Sequence, residues 1–268
     1  MNRKLLLISS ALLLILLVVA SLFGVFVEAT YSMDTPSFAT QAIGQDIVNL
    51  TVIAPLLLIS TYFTYKNNRK AMFVWSGVIF YLIYTYAIFC FDQQFNSLFL
   101  VYCALFGLSF YSYMYFLLFT IKEPVEEWYT NDTPIKLVSV FLIIVAVLFN
   151  VIWLSEIIPA LLYGEIPPSV IEDGTPTNPV HVLDLSLILP AFFITAIFLW
   201  KKNRYGYLLA PTMLMFLFLM GSAIIGMVIT MQLNAIRVDI GLALIFIIIL
   251  IIVAIITFLF LRKIDEGK

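Results

Sequence analysis

The chain has 268 residues, of which 63% are hydrophobic and 11% charged, with a net charge of −2. An ordinary soluble domain is roughly 25% charged, so a water-soluble fold is excluded, because too little polar surface is left to cover it. The net charge says nothing by itself. Charges confined to loops have to be read by their side of a membrane.

In chain order, Asn2-Arg3-Lys4 leads into a first apolar helix over 5–27. It is longer than the 7–15 apolar residues of a signal peptide, so Val27-Glu28-Ala29 is read as a helix end and not as a cleavage site. The stretch to Gln45 has no Lys or Arg. A second helix is expected over 46–65, a third over 71–91 and a fourth over 97–121. The third and fourth are rich in tyrosine. Tyr81 and Tyr111 lie too deep for an interfacial belt, so their hydroxyls are expected to face protein. Cys90 and Cys103 flank the turn at Asp92, but at depths that do not match for a disulfide, and no C-x-x-C is present.

A polar loop precedes a fifth helix over 137–160, which carries Asn150 and Glu156 in its second half. The longest loop, 161–180, holds Pro167, Pro168, Pro176 and Pro179, several acids and no Lys or Arg. Its prolines restrict the backbone, which suggests an ordered cap or a partly mobile lid. Helices follow over 181–200, 205–232 and 240–261. Gly221, Ser222 and Gly226 offer a close-packing face on the seventh. The fold class expected is therefore an all-α membrane protein of eight transmembrane helices. Eight spans with the N-terminus inside put 13 of the 14 Lys and Arg residues on the cytoplasmic side, leaving Arg237 outside.

Two segments organise the chain. Asp46-Ile-Val-Asn49-Leu-Thr-Val-Ile-Ala-Pro55 runs on to a basic turn at Lys66–Arg69, and His181-Val-Leu-Asp184-Leu-Ser-Leu-Ile-Leu-Pro190 runs on to one at Lys201–Arg204. Shifting residues 46–70 by 135 onto 181–205 gives 8 identities in 25, including Pro55/Pro190, Lys66/Lys201, Asn68/Asn203 and Arg69/Arg204. The expectation is a 4+4 internal repeat of halves 1–135 and 136–268. Four is even, so both halves keep one orientation and the pseudo-two-fold axis lies along the membrane normal. Independent acquisition of helix punctuation is the rival explanation. The D-x-x-N-L…P and H-x-L-D-L…P segments with their basic turns resemble an uncharacterised family of prokaryotic multi-pass integral membrane proteins. That resemblance implies the many-helix fold and the plasma (inner) membrane of a prokaryote, and no activity.

Positions i and i+3 share a helical face, so Asp46 sits over Asn49 and His181 over Asp184. If the halves pack about a shared axis, these four converge in one outward-facing polar pocket, with Glu156, Arg237 and Asp239 at similar depth. Ionisable groups near hydrocarbon turn inward. They do so either as a ligand site or as a structural staple such as Arg237 paired with Glu156 or Asp184. Three functions stay open. The first binds or translocates a small polar or cationic ligand, or protons. The second is a non-catalytic scaffold or sensor for another membrane protein. The third is a metal-dependent intramembrane hydrolase, with His181, Asp184 and Glu156 as the weak ligand candidates. No G-x-S-x-G, mid-span lysine or phosphate-binding glycine loop is present, so no cofactor is expected. The partners expected are the lipid bilayer and, beyond it, another membrane protein or a second copy, but no nucleic acid.

The charge partition has a direct check. In intact cells an impermeant thiol reagent should label Ser169→Cys and spare Asn67→Cys, and the reverse pattern would invert the topology.

Overall fold

The computed structural model describes residues 2–236, 238 and 240–266. Among the described residues eight helices are long and apolar enough to cross a membrane: Arg3–Phe26, Pro36–Tyr65, Arg69–Phe91, Phe99–Thr120, Ile135–Tyr163, Pro179–Trp200, Arg204–Leu233 and Ala243–Leu261. The last lies within a helix that begins at Ile240. Hydrocarbon offers no partner to backbone N–H and C=O groups, so helices that satisfy themselves are the expected solution.

The second span corrects the sequence reading, since it begins ten residues earlier than Asp46, at Pro36. Thr35 caps it by accepting the Phe38 N–H, and Pro36 stands in the first turn, where its missing donor is no loss. Ser37, Thr40 and Gln45 make this stretch look too polar for a membrane, yet all three are buried against protein.

The third and seventh spans pack on each other at the centre of the bundle, with the Ser76 and Thr212 hydroxyls 2.8 Å apart between them. The second span lays its Pro36–Val48 portion on the seventh and its Ala54–Tyr65 portion on the third. The sixth lays Pro179–Leu183 on the third and Leu189–Trp200 on the seventh. The first span packs on the second and fourth, the fourth on the third, the fifth on the sixth, and the eighth on the seventh.

Proline 55 and proline 190 share a local device. In an α-helix the proline ring clashes with the carbonyl four residues back. Here the residues just before each proline form a π-helical turn, over Asn49–Ile53 and over Asp184–Ile188. The Ala54 N–H reaches the Asn49 carbonyl, and the Leu189 N–H reaches that of Asp184. The wider turn makes room for the ring without ending the helix. Both π turns, both following helices (Ala54–Tyr65 and Leu189–Trp200) and the left-handed residues Asn67 and Lys202 correspond at the offset of 135.

At one end of the bundle the basic turns meet the polar loop and the chain terminus. The Arg204 guanidinium donates to the Ile121 and Glu123 carbonyls, Arg69 to the Asp265 carbonyl, and Lys263 pairs with Asp132. At the other end the loop after the fifth span forms a short helix, Pro168–Asp173, that caps the second span. Its Glu172 accepts from the Ser37 hydroxyl at 2.7 Å.

Three finer expectations change. Tyr81 is fully buried as expected, but Tyr111 is 74% exposed on the outer surface of the fourth span, because that face meets no neighbouring helix. Cys90 and Cys103 are free thiols yet stand next to each other. Three extra residues of depth amount to only about 4.5 Å of helix rise, which tilt absorbs. Gly226 packs on Gly44 of the second span, while Gly221 faces Leu250 of the eighth, so the two glycines serve different neighbours.

The Gly44–Gly226 crossing is backbone on backbone. A Cβ at Gly44 would lie 2.7 Å from the Gly226 carbonyl oxygen. Gly44→Ala should therefore destabilise by about 1–3 kcal/mol, whereas Gly107→Ala, with nothing within 4 Å of its Cβ, should be neutral. Thermal unfolding of both variants in detergent measures the contrast.

Candidate functional site

Two buried polar networks carry the residues singled out from the sequence. In the first, Asp46 is 1% exposed and accepts a short hydrogen bond from the Tyr31 hydroxyl. Tyr31 comes from the turn after the first span, folded back into the bundle. The Asn49 side-chain amide approaches the other Asp46 oxygen at 3.4 Å, and its own oxygen accepts from the Tyr81 hydroxyl at 3.0 Å. Gln45 donates to Tyr81 and to Thr85. Gly24 makes the approach possible, because a Cβ there would fall on the Asp46 carboxylate and the Tyr31 hydroxyl. Around this carboxylate stand the hydroxyls of Ser21, Tyr86 and Tyr102. All three are buried and have no hydrogen-bond partner among the described residues.

In the second network, Asp184 accepts from the Tyr84 hydroxyl at 2.9 Å and from the Trp153 indole N–H at 2.8 Å. His181 lies one turn away with its ring 4.7 Å from that of Trp153. Its Nε2 is 3.9 Å from a Glu156 oxygen. The other Glu156 oxygen accepts the Ser169 N–H of the loop helix. Fifth span, sixth span and cap are thereby tied together.

Asp46 and Asn49 meet as the i, i+3 spacing implies, whereas His181 turns to Glu156 and Asp184 to Tyr84 and Trp153, and the four share no hydrogen-bonded pocket among the described residues. The second and sixth spans each pack on both helices of the central pair. What the two networks share is the third span, through Tyr81 and Tyr84, themselves three residues apart. Arg237 and Asp239 lie outside the described residues, so the proposed staple between Arg237 and Glu156 or Asp184 is not seen. No group of three or more His, Cys, Asp or Glu among the described residues is arranged to hold a metal. Both Asp184 oxygens already accept hydrogen bonds, and His181 faces Glu156. Tyr31, Tyr84, Trp153, Gln45 and Gly24 were missed by sequence reasoning. Trp153 had a usable signal, since it precedes Glu156 by three residues and so shares its face. Tyr31 had none.

The loop end beside these networks is acidic. Asp92, at the end of the third span, is 6% exposed. Burial first, then the neighbouring charges of Asp173 and Asp34, pushes its carboxyl up to about 7. Burial, then Glu172 and Glu156, pushes Asp173 up to about 6. Comparison with protein-family models, with curated proteins and with solved structures finds no match.

A carboxyl whose pKa is higher folded than unfolded binds its proton more tightly in the folded state. Its contribution is complete below the unfolded value near 4 and is lost as pH rises through the folded value. The melting temperature should therefore fall between pH 4 and pH 8, and Asp92→Asn should flatten that fall. A parallel melting series of the two proteins measures it.

Proposed function

We propose that this multi-pass membrane protein takes up a proton or a small monovalent cation at Asp46, with the Asp184 network as a second polar station across the third span. The observation that carries this reading is the surroundings of Asp46. It is nearly inaccessible, and no Lys or Arg among the described residues pairs with it or with Asp184. An ionised carboxylate alone in a low-dielectric interior is too costly to persist. It is neutral by protonation, or a cation completes it. The unpartnered hydroxyls of Ser21, Tyr86 and Tyr102 supply oxygens suited to either.

The wider architecture in this proposal is two four-helix halves, 1–135 and 136–268, related by a pseudo-two-fold axis along the membrane normal. The matched π turns, left-handed residues and crossed packing of the second and sixth spans support it. The protein would lie in the plasma membrane of a prokaryote with both termini cytoplasmic, as the basic residues at that end favour. A second reading, a non-catalytic partner of another membrane protein or of a second copy, is favoured by one feature. The central third–seventh contact is closely packed, with Met215 filling the space at Gly77. The hydrolase reading gains nothing from the geometry of His181.

A ligand that binds only the folded state raises its stability as its concentration rises. With Asp92→Asn and Asp173→Asn together as background to remove the loop-end titrations, melting temperature should still respond to acid or to Na⁺ or K⁺. Adding Asp46→Asn should abolish that response. If the response is absent, or survives Asp46→Asn, the uptake reading falls and the scaffold reading stands.

A further inference from the structure

Between Asp46 and the loop end lies a file of buried groups that the hydrogen bonds described so far leave incomplete. Tyr31 donates to Asp46 and is 4% exposed. Its hydroxyl faces that of Tyr102, which sits in the first turn of the fourth span and is 2% exposed. The Tyr102 hydroxyl in turn faces Asn96, and the charge of Asp34 lies near enough to act on it. Asp34 uses one oxygen to accept the Gln94 N–H at 2.9 Å. The Asn96 side-chain oxygen accepts the Leu98 N–H at 2.9 Å. What remains is a set of atoms with no partner among the described residues: the second Asp34 oxygen, the Asn96 amide nitrogen and the Tyr102 hydroxyl. The Gln93 side chain, beside Asp34 and likewise buried without a partner among the described residues, adds to them, and a run of such polar atoms is the setting in which an internal water is held. Rings hold the file in place, since Phe89 lies 6.4 Å from Tyr31 and 5.2 Å from Tyr102, and Tyr86 stacks on Tyr102 at 6.0 Å.

We propose that protons reach Asp46 from the loop end along this file, passing from water held at Asp34 and Asn96 to Tyr102, then to Tyr31, then to the carboxylate. The Tyr31 O–H proton passes to the Asp46 oxygen as Tyr31 takes one from Tyr102, Tyr102 takes one from the water, and the water takes one from a hydronium ion in the solution at the loop end. Each O–H bond broken is matched by one formed, so neither ring is left charged and Asp46 ends as the neutral acid. The hydroxyls are then reset by rotation. Tyr102 relays the proton to Tyr31 and makes no hydrogen bond to Asp46. The route rests on proton uptake at Asp46 and specifies the side from which the proton comes.

The test uses the full chain in lipid nanodiscs, followed by infrared spectroscopy during a rapid change from H₂O to D₂O. The carboxylic acid C=O band of Asp46 is identified by its loss in Asp46→Asn, and its deuterium shift reports when a new proton isotope arrives. The expected result is that Tyr102→Phe keeps the band but slows its shift by roughly 100-fold, the scale of losing one positioned proton-transfer group. Tyr113→Phe, which removes a buried hydroxyl of the fourth span that belongs to neither network, should leave the rate unchanged. A Tyr102→Phe rate equal to wild type, or an equal slowing by Tyr113→Phe, overturns the route while leaving uptake at Asp46 intact. Absence of any band dependent on Asp46 overturns both.

Discussion

Hydrocarbon cannot hydrogen-bond, and that constraint organises this protein. Each polar group placed at membrane depth has to find its partner inside the bundle. The third span is where most of them meet. Tyr81 serves Asn49 and Gln45, Tyr84 serves Asp184, Ser76 meets Thr212, and Thr85 accepts from Gln45. A helix carrying this many hydroxyls would be a poor lipid-facing element. It is stable here because four other spans cover it, and its hydroxyls give each neighbour a definite rotation and depth.

The prolines set where those neighbours can contribute. Asn49 opens one π turn and Asp184 the other. A π turn carries an extra residue, which shifts the helical face on either side of it. The residues before Pro55 and Pro190 therefore turn toward protein at an angle that a straight helix would not give them. Sharp bends need an identifiable cause, and here the cause also positions the polar side chains. Close glycine contacts add to this effect. Gly24 admits the Asp46–Tyr31 pair, and Gly44 against Gly226 brings the second span within backbone distance of the seventh.

The two ends of the bundle are built on opposite electrostatics. At one end arginines and lysines are tied to carbonyls, acids and aromatic faces, as with Arg69 over Trp128 at 4.7 Å and Lys70 near Glu266 at 3.7 Å. At the other, Asp34, Asp92, Asp173, Glu172 and Glu156 gather under the cap with no described lysine or arginine among them. Their mutual repulsion is offset by hydrogen bonds from Ser37, from backbone N–H groups and by proton uptake. Acids gathered in this way attract cations and retain protons, which suits the uptake proposed at Asp46.

The sequence by itself determined the class of fold, the eight spans, the segregation of basic residues to one end and the residues Asp46, Asn49, His181, Asp184 and Glu156 as the polar groups to explain. Those properties are local: they depend on hydropathy over about 20 residues, on proline and on i, i+3 spacing. The tertiary structure decided the rest. Whether Ser37 and Gln45 lie in a loop or a span depends on the loop helix and the third span, which supply their partners. Tyr31 reaches Asp46 only because a loop folds back past Gly24. Tyr81 and Tyr84 face different networks because the second and the sixth span both pack on the third. Helical periodicity fixes which residues share a face, but crossing angle and side-chain reach fix what that face meets, and neither is encoded in any short stretch of the chain.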